Sequence, residues 1–200
     1  MKFLPLATAV LSATHAAALS SKDITHGIDD ITALSSQAEK LLKELSPVNL
    51  SANLPAIYGN LTDLVNVVVK DIRNVGASAS VVPNKDQQDI CHALAKLLQA
   101  QKSLATTVSG KESVLPASPL SGALVSIIKI LQGVVDNLAA SVVGTAPTCK
   151  EAVAKALQDL GSAFDQTIVK LSDVLSLSAS LGLGGLANVK LDLGVKRRRI

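Results

Sequence analysis

Apolar residues recur along this chain every three or four positions, in five separate runs, and no run alternates with period two for long. Spacing of that kind gathers the apolar side chains onto one face of a helix. The first run, Ile24, Ile28, Ile31, Leu34, Ala38, Leu41, Leu42 and Leu45, predicts a helix from Ser21 to Leu45, ended by Ser46-Pro47. A second helix is expected to start near Pro55, a residue suited to a first turn, and to carry Ile57, Leu61, Leu64, Val68, Ile72 and Val75. Gly76 to Pro83 then reads as a loop.

The third helix opens at Asn84 or Asp86, carries Ile90, Leu94, Leu97, Leu98, Leu104 and Val108, and is closed by Gly110. The fourth begins at Ser118-Pro119, carries Leu120, Leu124, Ile127, Ile128, Leu131, Val135, Leu138 and Val142, and is stopped by Gly144 and Pro147. Thr148 is placed to cap the fifth, with Val153, Leu157, Leu160, Phe164, Ile168, Leu171 and Leu175 on its stripe. Short links between successive helices favour antiparallel neighbours. The expected fold is therefore all-α, a single-domain, up-and-down bundle of five helices over residues 19–178. From Ser178 the chain turns glycine-rich, and 179–200 reads as a flexible tail ending in Lys196, Arg197, Arg198 and Arg199. That basic end suits a dibasic processing site, an anionic contact or a plain solvated terminus.

The first residues change the picture. Lys2 precedes an apolar run that ends in Ala16-Ala17-Ala18, the pattern of a secretory signal peptide with cleavage after Ala18. The expected location is secreted and extracellular. Mean hydropathy is nevertheless +0.39, high for a chain expected to stay in water. The apolar surplus is aliphatic, since Tyr58 and Phe164 are the aromatics beyond the leader. The uncharged stretches 45–62 and 174–189 are broken by proline, asparagine or glycine, so no transmembrane segment of about 20 apolar residues is expected. Apart from Lys2 and the basic end, acids and bases nearly balance, which argues against a nucleic-acid partner.

Two cysteines, Cys91 and Cys149, suggest one disulfide in a secreted chain. In an alternating bundle the third and fifth helices run the same way, and both cysteines lie near helix starts, hence at one end. Two buried thiols are the alternative. Asn49-Leu50-Ser51 and Asn60-Leu61-Thr62 are sequons, so Asn49 and Asn60 are candidate glycosylation sites, with Asn49 favoured by its loop position.

No catalytic constellation, metal-ligand spacing or cofactor motif is present. His26 and His92 stand without triad partners, and Cys91 beside His92 points elsewhere, because adjacent side chains on a helix do not face each other. The expectation is a non-enzyme without cofactor or metal. The informative residues are polar ones on apolar stripes. Ser35, Gln101 and Thr167 fall on or beside the core faces, and a buried polar group needs a partner. Either they bond within the bundle, or they serve the head of an apolar ligand whose tail would lie among residues such as Leu97, Ile127 and Phe164.

The opening helix Asp23-Ile-Thr-His-Gly-Ile-Asp-Asp-Ile-Thr-Ala-Leu, the segment Leu61-Thr-Asp-Leu-Val-Asn-Val-Val-Val-Lys-Asp-Ile and the aromatic-poor body resemble the hydrophobic surface-binding protein A family. That family includes fungal cell-wall galactomannoproteins with fatty-acid-binding domains. The resemblance spans roughly 20–178 and is carried by diffuse patterns. It implies a secreted, in some members wall-associated, bundle. It also implies adsorption to hydrophobic solid surfaces, recruitment of a secreted esterase to them, or sequestration of a long-chain fatty acid. The Ser-rich, lipid-anchored tail of some members has no counterpart here, which favours a released protein. The competing expectation is a structural or antigenic bundle with a closed core and no ligand.

Overall fold

The computed structural model describes residues 19–77, 81–115 and 121–180. The leader at 1–18 and the residues of the expected tail from 181 lie outside them, as does the expected start of the fourth helix at Ser118-Pro119. The elements are α1 (Ser21–Lys43), α2 (Leu50–Ala77), α3 (Asn84–Ser109), α4 (Ser121–Thr145) and α5 (Cys149–Ser180). No strand occurs among the described residues.

α1 starts where Ser20 and Asp23 form a capping box. The Ser20 hydroxyl caps the first turn, and the Asp23 carboxylate accepts the Ser20 N–H at 3.0 Å. Two otherwise orphaned donors are satisfied this way. α2 begins five residues before the expected Pro55 and carries that proline inside it. The earlier start puts Leu50 and Leu54 on the same face as Ile57 and Leu61, and all four are buried. Pro55 forgoes one backbone donor near the helix start, a smaller loss than leaving two leucines in water. At α3 Gly110 is indeed the C-cap, in the ordinary right-handed region. Thr148 does not turn its hydroxyl to its own helix. The hydroxyl lies 2.7 Å from Gln87 Oε1, which also accepts the Thr148 N–H at 3.1 Å. α5 runs two residues past the expected end of the bundle at 178.

The expectation of no membrane-length apolar helix missed α4. Gly122–Thr145 is long and apolar enough to cross a bilayer by length and composition. In the bundle its Leu124, Ile128, Leu131, Leu138 and Val142 are core residues, while Lys129 and Asp136 face out.

Successive helices alternate in direction, as expected, but nearness in sequence does not set the main contacts. α3 packs between α1 and α5, all three parallel, with Ser35 opposite Gln101, Glu39 opposite Ser103, and Lys102 opposite Asp159. α2 and α4 form a second layer, closed onto the first through α1–α2 and α4–α5. The helices thus form a ring in the order α1, α2, α4, α5, α3. α3 and α4 touch only narrowly across it. A regular ring of five helices at about 8–10 Å spacing would leave an axial gap of roughly 3 Å radius. Here aliphatic side chains such as Leu61, Leu64, Leu97, Leu131 and Leu138 are fully buried in the interior.

Polar cross-links concentrate within the α1–α3–α5 layer. Glu39 takes bonds from Ser103 at 2.6 Å and Lys43 at 2.6 Å, and Lys111 Nζ reaches the carbonyls of Lys43 and Leu45. Between the layers, the described side-chain bond is Gln132 Nε2 to Asp165 Oδ1 at 3.0 Å. The Cys91–Cys149 disulfide forms and ties α3 to α5 at the end where both begin. Gln87 strengthens that end, because its Nε2 donates to the Val82 carbonyl while its Oε1 holds Thr148. One buried side chain thereby joins both loops to α3.

Candidate ligand-binding site

All six residues expected to line a ligand site are buried: Ser35 on α1, Leu97 and Gln101 on α3, Ile127 on α4, and Phe164 and Thr167 on α5. The bundle brings the three polar ones to two places. At the α1–α3 seam, Gln101 Nε2 donates to Ser35 Oγ at 2.7 Å, and Ser35 Oγ donates its single proton to the Ile31 carbonyl at 2.7 Å. Both side chains are 0% exposed. Gln101 Oε1 accepts from nothing and is itself buried. A turn away along the two helices stand Ile31, Ala38, Leu97 and Leu104, none of which can donate to it.

The pair has one further degree of freedom. A serine hydroxyl both donates and accepts, so the terminal amide of Gln101 can turn over if Ser35 re-aims its proton at Oε1. That state presents the two Nε2 protons inward in place of the orphaned oxygen. The first state leaves Oε1 and one Nε2 proton unpaired, whereas the second leaves both Nε2 protons unpaired and takes the Ser35 bond from the Ile31 carbonyl, so without an acceptor the first is favoured.

Thr167 has a different part. Its Oγ1 lies 2.7 Å from the Ala163 carbonyl and 3.0 Å from the Ala105 carbonyl. The single proton is committed to backbone, which makes Thr167 a latch between α5 and α3 and not a head-group donor. Phe164, one turn earlier, fills the core beneath the same seam.

Two clefts lie elsewhere, and none of the six residues lines them. One is an open polar groove of about 550 Å³ between α1 and α3, bordered by Lys22, His26, Asp29, Asp89, His92 and Lys96. It brings the two histidines to one groove, but no group of three or more metal-ligating side chains forms among the described residues. The other is a smaller cavity of about 160 Å³ among α1, α2 and α4, with Asp71 in its wall.

Asp71 and Gln87 were missed at the sequence level. Both were findable, because each extends a stripe by the same three-four step: Leu64, Val68, Asp71, Val75 and Gln87, Ile90, Leu94. Asn49 sits in the link before α2, where Oδ1 accepts the Ser46 N–H at 2.8 Å and Nδ2 donates to the Glu44 carbonyl at 3.0 Å. Asn60 lies within α2, half-buried, its Nδ2 on the Ala56 carbonyl.

The crystal structure of AfMP4p in complex with palmitic acid is similar to this chain, with a TM-score of 0.70 and 18% sequence identity over 76% of this chain and 99% of that one. The likeness establishes a shared helical fold. No family model and no curated protein matches the sequence.

Proposed function

We propose that this chain is a non-enzymatic, secreted carrier that holds a long-chain fatty acid or similar acyl ligand between its two helix layers. The observation that carries the reading is Gln101, an amide on a fully buried aliphatic face with one hydrogen-bonding atom left over. An acyl head group arriving there meets an amide able to turn over. Ser35 then donates to Oε1, and Nε2 donates to the ligand carboxylate. The fold similarity supports the reading, since AfMP4p is a bundle of this kind with palmitic acid bound.

Ser35, Leu97, Gln101, Ile127, Phe164 and Thr167 are all buried, so a ligand reaches them by parting the layers. The distribution of cross-links favours a division along that line. The α1–α3–α5 layer is held by a disulfide and several side-chain bonds, while α2 and α4 rest on it chiefly through aliphatic contacts. A chain of about sixteen carbons gains on the order of 12 kcal/mol at roughly 0.8 kcal/mol per buried methylene. Association and ordering costs of about 4–15 kcal/mol offset much of it, leaving affinities near the micromolar range.

Adsorption to a hydrophobic solid, with or without recruitment of an esterase, needs more rearrangement. Among the described residues the exposed large hydrophobics are Val48, Val81 and Val169, on separate elements. Among the described residues the folded exterior therefore offers no continuous apolar face, and adsorption through them requires the bundle to spread open. Displacement of a fluorescent fatty acid by palmitate, with native mass spectrometry of protein purified without detergent, tests the carrier reading. Saturable one-to-one displacement is expected. No displacement and no retained lipid would reject it.

A further inference from the structure

We infer that the cavity among α1, α2 and α4 is a site for a primary ammonium group carried on a small aliphatic body. Asp71 on α2 projects over Gly27 of α1, and its Oδ2 is buried without a hydrogen-bond partner. Gly27 is what permits this. A Cβ there would stand 2.8 Å from Asp71 Oδ2. The rest of the wall is divided between aliphatic groups, Ile24, Ile28, Val75 and Leu138, and polar ones, Asp23 and Asn74.

Asp23 already accepts from Ser20 and is held ionised by those bonds, so it adds negative potential without needing a new partner. Asp71 is the group that lacks one. Burial pushes its carboxyl above the usual range, with Asp30 adding to the rise and Lys70 and His26 opposing it. An ammonium supplies both the missing donors and the missing charge, and its carbons match the aliphatic wall. A carboxylate ligand would meet two acids and be repelled. At about 160 Å³ the cavity is well below the ~300–1,000 Å³ of drug-sized pockets, which limits the occupant to a few carbons beside the ammonium.

Such an ammonium has two sources. One is a soluble alkylamine. The other is the chain itself, because Leu19 lines this cavity and the cleavage expected after Ala18 would create an α-ammonium at Leu19. The test uses two forms of the protein, one beginning at Leu19 and one retaining Ala17-Ala18 ahead of it. Each is made with and without Asp71→Asn, an isosteric change whose folding is checked by a cooperative melt. Thermal shift and calorimetry are run with hexylammonium, hexanol and hexanoate.

If the ligand is soluble, hexylammonium binds both forms with a Kd below about 1 mM. Hexanoate does not bind, and Asp71→Asn weakens the amine at least tenfold. If the occupant is the chain's own terminus, the Leu19 form melts higher than the extended form and excludes the amine, and Asp71→Asn removes that difference. Absence of both effects overturns the inference, as does amine binding or a terminus effect that survives Asp71→Asn unchanged.

Discussion

Replacing Gln101 by methionine separates a ligand site from a structural hydrogen bond. Methionine is close in shape and length to glutamine and carries no strong polar atom. In the folded protein the change removes the Gln101–Ser35 bond, worth about 0.5–1.5 kcal/mol net. It also removes the buried, unpartnered Oε1, whose desolvation costs about 1–3 kcal/mol. Ser35 is not stranded, because its proton remains on the Ile31 carbonyl. The balance runs from neutral to about 2 kcal/mol in favour of the variant. At about 2–4 °C per kcal/mol for a domain of this size, Tm rises by up to several degrees. Binding moves the other way. A hydrogen bond to a charged carboxylate is worth about 1.5–3 kcal/mol, so palmitate affinity falls roughly 10- to 150-fold. Urea denaturation gives the first quantity and displacement of a fluorescent fatty acid the second. A variant destabilised by more than about 1 kcal/mol with unaltered affinity would refute the reasoning, because Gln101 would then be a core residue whose bond to Ser35 simply outweighs its orphaned oxygen.

Further expectations follow from the same contacts. Cys91→Ala with Cys149→Ala lowers stability by about 4 kcal/mol, the chain-entropy cost of opening a loop of 58 residues, and urea melts should show it. Asp71 and Glu39 act oppositely with pH. The raised carboxyl of Asp71 costs stability at neutral pH, and the cost fades as pH falls through its folded value toward the ordinary 3.8. Asp71→Asn therefore stabilises most at neutral pH and least in acid. Glu39 is lowered below its ordinary 4.5 by the Lys43 bond first and the Ser103 bond second, so its contribution is full above 4.5 and is lost as pH falls through the folded value. Glu39→Gln should flatten the acid limb of a stability–pH profile, and a profile identical to the parent's would contradict the assignment. Gly27→Ala pushes the Asp71 carboxylate toward water while adding helix propensity of about 1 kcal/mol. An NMR titration should then find Asp71 returned toward the ordinary carboxylate value. Thr167→Val breaks the latch from α5 to the Ala105 carbonyl and costs about 1 kcal/mol, read by the same urea melts.

Helix number, helix direction and the membership of each apolar face were legible from local spacing alone, because the 3.6-residue period and the Cβ direction act within one helix. The disulfide was foreseeable from the same facts, since alternating direction puts Cys91 and Cys149 at one end. The start of α2 was misjudged because Pro55 is a strong local signal, while the burial of Leu50 and Leu54 is a tertiary gain that overrides it. The apolar length of α4 went unremarked because attention to uncharged gaps passes over a helix that keeps Lys129 and Asp136 on its outer face.

Only the tertiary structure decided which helices are partners. Periodicity states that a face is apolar but not what covers it. The ring order, with α3 between α1 and α5 and not beside its neighbour α2, comes from side-chain fit and loop reach across the whole chain. The chemistry depends on that order. Gln101 was identifiable as a polar residue on a core face, yet its pairing with Ser35, 66 positions away, and its leftover oxygen exist only once α1 lies along α3. Asp71 Oδ2 becomes buried and unpartnered only because α2 crosses α1 at a residue with no side chain, Gly27. The chain alone determined five amphipathic helices. The packing determined where they leave a polar atom without a partner.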